Sequence, residues 1–163
     1  MVIDAAKVSA IDCPTAQEVD KVAALLGRSP EGGFEVVVVN SAGEPVVIRN
    51  GPIMDNGRPM PTRYWLVDRE LCRLVARLEG DGGVKAAEEA VDWTDLERAH
   101  ARYAEERDFH IPSDHEGPRP QGGVGGTRKG VKCLHTHLAN HLVTGDDPVG
   151  AWVVQQLEAT RLV

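Results

Sequence analysis

Two β-branched runs on either side of a turn limit what this chain can fold into more than anything else in it. Phe34-Glu-Val-Val-Val-Val39 lies between Gly33 and Asn40, and Pro45-Val-Val-Ile-Arg49 follows after Ser41-Ala-Gly-Glu44. Side chains branched at Cβ suit the extended backbone, and a short turn between two such runs closes a hairpin. The apolar positions are nearly continuous rather than alternating. Strands of that kind need cover on both faces, as in a small sheet backed by helices. Thr62-Arg-Tyr-Trp-Leu-Val67 reads as a third strand, reached through a loop from Asn50 to Pro61. Aromatic residues make up only 4% of the chain, so the core must be built from Val, Leu and Ala.

The remaining segments carry helical signals. Thr15-Ala-Gln-Glu18 is a capping box; Val19, Val22, Ala23 and Leu26 then share one face, and Gly27 suits the stop. Asp68 caps a second helix with an inner stripe of Leu71, Leu74, Val75 and Leu78. Val84, Ala87 and Val91 mark a short third helix after Gly82-Gly83. Thr94-Asp-Leu-Glu97 reads as another capping box, followed at helical spacing by Leu96, Ala99, His100 and Tyr103. The charges from Glu97 to Asp108 read as a solvated face, and His100 as a hydrogen-bonded core histidine. From Val131 the stripe Val131, Leu134, Leu138 and Leu142 predicts a helix ending at Gly145. Asp147-Pro148 opens a last one, with Val149, Trp152, Val153 and Leu157 inward. The expected fold is α+β: a small, mainly antiparallel sheet packed by several helices. A single domain spanning 1–163 is expected, with a long Gly/Pro-rich loop over 109–130.

Charge and cysteine usage narrow the function classes. A net charge of −7 argues against a non-specific nucleic-acid surface. MVIDAAKVSA has no basic flank leading into an apolar run, so no signal peptide is read there. The apolar runs are too short to span a bilayer, which predicts a cytoplasmic protein without a membrane partner. The three cysteines, Cys13, Cys72 and Cys133, form no CxxC pair, so neither a disulfide framework nor a zinc ribbon is expected. Cys13 and Cys72 read as structural thiols, Cys13 with a disordered thiol as its alternative. Arg63 reads as a surface arginine, with an anion clamp as the alternative.

Chemical capability concentrates in Gly122-Gly-Val-Gly-Gly-Thr-Arg-Lys-Gly-Val-Lys-Cys-Leu-His-Thr-His-Leu-Ala-Asn-His141. Cys133, His135, His137 and His141 are candidate metal ligands, and thiolate with imidazole favours Zn²⁺. Two geometries are open. On a continuous helix, Cys133, His137 and His141 follow one another along one edge. With Cys133 to His135 extended before the helix, those two point the same way and His137 could join them. Further ligands could come from His110, Asp114, His115 or Cys72. The rival reading is that the histidines only hydrogen-bond and cap. The glycines offer a second capability, since backbone N–H groups at Gly125, Gly126 and Thr127, with Arg128 and Lys132, could hold a small anion. The loop is neither a Walker A loop nor a dinucleotide fingerprint, because Gly130 is followed by Val-Lys and Arg128 stands at the third glycine position. A nucleophilic Cys133 ranks third.

Three blocks carry a family resemblance: Arg58-Pro-Met-Pro-Thr-Arg-Tyr-Trp-Leu66, Gly117-Pro-Arg-Pro-Gln-Gly-Gly-Val-Gly-Gly-Thr-Arg-Lys-Gly-Val-Lys-Cys-Leu-His-Thr-His137 and Asp147-Pro-Val-Gly150. Together they resemble the bacterial "domain of unknown function 501" family from about Asp20 to Leu157, most specifically at Val-Lys-Cys-Leu-His-x-His. The resemblance implies no activity. It favours Cys133, His135 and His137 over His141, and its usual gene neighbours, a septum-formation initiator and a phosphatase of the exopolyphosphatase type, imply a housekeeping bacterial role and, for an adaptor, a link to cell division. The resulting expectation is a zinc-dependent hydrolase or lyase for a small anionic or phosphate-bearing substrate, with Asp114 or His115 as acid or base. The alternative is a non-catalytic adaptor with a structural metal site.

Overall fold

The computed structural model describes residues 4–5 and 13–161, so the stretch read for a signal peptide lies, apart from Asp4 and Ala5, outside the described residues. The sheet follows from the β-branched runs. Its strands are β1 (Asp4–Ala5), β2 (Phe34–Val39), β3 (Pro45–Asn50) and β4 (Tyr64–Leu66), adjacent in that order and antiparallel throughout. Phe34 pairs with Asn50 and Val36 with Ile48, and the register slips between Val36 and Val38. Every residue of β3 is buried, which is the two-sided cover its unbroken apolar run demands.

The cover comes from two unequal layers. One face meets α1 (Ala16–Leu26), where Val22 packs with Phe34, Ile48 and Val67. The capping box at Thr15 opens this helix and Gly27, at φ 71°, closes it. The other face meets the main core, in which Val38, Val47, Tyr64 and Leu66 lie against Leu71, Leu96, Leu134, Leu138 and Val153. The helices of that layer are α2 (Arg69–Gly80), α3 (Gly83–Ala90), α4 (Trp93–Phe109), α5 (Leu134–Thr144) and α6 (Pro148–Arg161). Asp68 caps α2 through the Leu71 N–H at 2.8 Å. A Cβ on Gly150 would lie 2.4 Å from the His137 carbonyl oxygen, so glycine is what lets α6 pack this closely on α5.

Several expectations are corrected. The cap of α4 is Asp92 rather than Thr94: its carboxylate takes the N–H groups of Thr94 and Asp95 at 2.8 and 3.2 Å. A carboxylate there also suits the positive end of the helix. α5 begins at Leu134, not Val131, because Cys133 is extended (φ −155°, ψ 125°) and the Val131 N–H is taken by Glu88 at 2.7 Å. Cys13 is exposed. Arg63 and Arg107 are both 1% exposed, not solvated. Arg63 grips Glu106 with two nitrogens and donates a third hydrogen bond to the Asn50 carbonyl. Arg107 donates to the carbonyls of Pro61, Pro120, Gln121 and Gly122, and pairs with Asp108. The long loop is thereby folded onto the end of α4. Its regular structure among the described residues is one 3-10 turn at Val124–Gly126. Among the described residues no helix is long and apolar enough to cross a membrane.

Candidate functional site

The extended backbone at Cys133 decides where the thiol and histidines go. Cys133 is the residue before α5, and His135 stands in the first turn of that helix. The Cys133 Sγ lies 3.6 Å from His135 Nδ1. Glu79, near the end of α2, completes the group with Oε1 3.2 Å from the same nitrogen. One ligand atom from each of Glu79, Cys133 and His135 lies within 4.8 Å of the other two, a grouping that could hold a metal ion. All three residues are half-buried.

Hydrogen bonds fix the ring's orientation. His135 Nε2 is 3.1 Å from the Cys72 carbonyl oxygen, which can only accept, so Nε2 carries a hydrogen. Nδ1 therefore points at the carboxylate and the sulfur. A proton on Nδ1 suits that position. The Cys133 hydrogen bond raises the imidazole more than burial lowers it; Glu79 and the Cys72 carbonyl add to the rise, to about 9. A divalent cation can take the place of that proton, with the bonded Nε2–H holding the ring in the ligating tautomer. Glu79 Oε1 also accepts the Leu134 N–H at 2.6 Å, so the carboxylate is already fastened to the start of α5.

Cys72 contributes its carbonyl rather than its thiol. Its Sγ–H donates to the Leu66 carbonyl at 3.3 Å, and burial, ahead of the charges of Asp68 and Cys133, pushes it up to about 11. That is a structural thiol, as read from the sequence.

The other two histidines of α5 go elsewhere. His137 is fully buried and its Nδ1–H meets both Asp147 oxygens at 2.9 and 3.0 Å. Asn140 and the Gly150 N–H also bind that carboxylate, at 2.8 and 2.9 Å. Burial would raise Asp147, but His137, Asn140 and the Gly150 N–H hold it below the usual carboxylate value. His141 lines a cavity of about 310 Å³ with Asp95, Arg98 and Arg102. The Nε2 of His137 and Nδ1 of His141 are buried without a partner. Neither joins the Glu79 group, because two residues on from His135, and again six residues on, the helix has turned the side chain away from the His135 face.

The glycine turn spends its N–H groups on itself. Gly123 donates to the Thr127 carbonyl, Gly126 to Gly123 and Thr127 to Val124, while the Val124 N–H goes to His100 Nδ1. The Gly125 backbone is hydrogen-bonded to Tyr103. Gly125, Gly126 and Thr127 thus present a closed turn rather than an open cradle. Arg128 and Lys132 are exposed. Asp114 is exposed on the long loop, and His115 Nε2 donates to the Pro118 carbonyl at 3.1 Å. Among the described residues no hydrogen bond or ion pair joins them to Glu79, Cys133 or His135.

Sequence reasoning did not find Glu79. It lies in a charged helix end, Arg-Leu-Glu-Gly-Asp-Gly, with no periodicity or spacing to link it to Cys133. A single carboxylate reached through tertiary packing leaves no local signal.

The family profile described as "Protein of unknown function (DUF501)" matches residues 36–155. No curated protein and no solved structure matches the chain.

Proposed function

Because the chain belongs to the DUF501 family, described only as proteins of unknown function, we propose a function from the side chains of the α2–α5 junction: a zinc-dependent hydrolase for a small anionic substrate. The observation that carries this reading is the convergence of Glu79, Cys133 and His135, with the His135 ring set by the Cys72 carbonyl. Thiolate, imidazole and carboxylate together are a ligand set suited to Zn²⁺. Three protein ligands leave a tetrahedral position for water, the arrangement of catalytic rather than closed structural sites. A fourth protein ligand would favour the structural reading, but the neighbouring thiol of Cys72 is committed to the Leu66 carbonyl. The side chains of His135 and Glu79 are each 26% exposed, so water and a small substrate can reach them. The bound ion would supply a more acidic water. Glu79, Cys133 and His135 would hold the ion, and exposed Lys132, next to Cys133, would attract the anion.

Metal analysis of protein purified without an affinity tag tests this. The expected result is about one Zn²⁺ per chain, as for a single mononuclear site, falling in Cys133→Ser, His135→Ala and Glu79→Gln. Less than stoichiometric metal that is unchanged by Cys133→Ser overturns the metal reading. Zinc without hydrolysis of a panel of small phosphate and carboxylate esters overturns the enzymatic reading alone.

A further inference from the structure

The cations that follow the glycine turn have a second destination. Arg128 and Lys129 both line a cavity of about 180 Å³ with Trp93, Glu97, His100 and Gly130. Among the described residues neither has a carboxylate within salt-bridge distance, whereas Arg63, Arg98, Arg102 and Arg107 all do. Lys129 Nζ instead sits 5.8 Å from the centroid of the Trp93 ring. Trp93 is 43% exposed, one of the two exposed large hydrophobic side chains among the described residues.

The walls are held firmly. His100 accepts the Val124 N–H at Nδ1 and donates Nε2–H to the Gly130 carbonyl, both at 3.0 Å. Glu88 holds the Val131 N–H at 2.7 Å. A Cβ on Gly130 would come within 2.3 Å of the Glu88 carboxylate, so only glycine lets the backbone run this close. Arg128 and Lys129 therefore project from a short segment pinned at both ends.

We propose that this cavity binds a small aromatic anion, its charged group between Arg128 and Lys129 and its planar body on Trp93. A guanidinium and an ammonium lining one cavity attract phosphate or carboxylate. A half-exposed indole offers a flat apolar face that inorganic phosphate cannot use. Glu97, in the same cavity, accepts a hydrogen bond from a donor on the ligand and opposes a compact, multiply charged ion. The site shares no residue with Glu79, Cys133 and His135, so it stands independently of the metal reading.

The test uses the full chain and two probes, phenylphosphonate, whose C–P bond a hydrolase does not cleave, and inorganic phosphate, followed by tryptophan fluorescence and calorimetry. Phenylphosphonate is expected to bind saturably and to change the Trp93 signal, which Trp93→Phe removes. Arg128→Ala should weaken it roughly tenfold, the worth of one charge-assisted hydrogen bond. Trp93→Ala should bring phenylphosphonate down to the affinity of inorganic phosphate. Cys133→Ser should leave this binding unchanged, which separates the result from the fate of the metal site; weaker binding there would place the probe at the metal and overturn the proposal. All these side chains are wholly or partly exposed, and circular dichroism confirms that each variant folds. Equal binding of the two probes, binding of neither, or binding insensitive to Arg128→Ala overturns the proposal.

Discussion

His100 shows how one residue can fasten a loop. Its Nδ1 must be unprotonated to accept the Val124 N–H, which places the ring hydrogen on Nε2 and against the Gly130 carbonyl. Burial, first, and then the charge of His137 hold the imidazole below its ordinary value of 6.5, against the Gly130 hydrogen bond and the charges of Asp147 and Glu97. The unfolded chain therefore binds the proton first as pH falls. Stability should be complete above 6.5 and should decline as pH drops from there towards the depressed folded value. Asp147, depressed below 3.8, adds its own loss only under that pH, so the His100 loss sets in first as pH falls. We predict that urea unfolding shows a midpoint that falls as pH drops below 6.5, and that His100→Gln flattens this slope. The variant should also lose about 1 kcal/mol near neutral pH, one hydrogen bond's net worth. An unchanged slope would remove His100 from that role. The sequence placed His100 on an inner helical face; its partners, in a glycine turn 24 and 30 residues away, left no trace in local pattern.

Among elements, α4 organises the rest. Its C-terminal half supplies Tyr103 to the backbone N–H of Arg63, Glu106 to the Arg63 side chain and Arg107 to the carbonyls of the long loop. A guanidinium buried among carbonyls has its donors satisfied in a place water cannot reach. Removing it leaves several buried acceptors unpaired. Arg107→Met should cost about 3 kcal/mol, as for loss of hydrogen bonds to a charged group, and should expose the loop to proteolysis before global unfolding. A change below about 1 kcal/mol would mean that the loop holds itself. Caps and hairpins are legible in a sequence because both ends lie within a few residues: Thr15, Asp68 and Asp147 all cap where the pattern placed them. Arg63 and Arg107 were misread as solvated for the opposite reason. Their partners lie up to 46 residues away, and a charged residue in a strand or helix pattern looks the same whether it meets water or a distant partner.

At the scale of the molecule, the α2–α5 junction decides what metal removal should do. Glu79 enters from α2, Cys133 and His135 from the start of α5, and both helices are also tied into the main core through Leu71, Val75, Leu134 and Leu138. The Leu134 N–H already rests on Glu79, and His135 already has the Cys72 carbonyl. The frame of the site is thus made by packing and backbone hydrogen bonds, with no need of an ion to assemble it. A bound ion still stabilises by mass action, since it binds the folded chain better than the unfolded one. Chelation should therefore lower the melting temperature by several degrees, the effect of a few kcal/mol in a domain of this size, and leave a cooperative transition. Amide exchange should quicken at the start of α5 but not across β3. Glu79→Gln should abolish most of the chelator effect, while Arg128→Ala should leave it intact. A collapse of the cooperative transition on chelation would make the ion a structural support and favour the adaptor reading over hydrolysis.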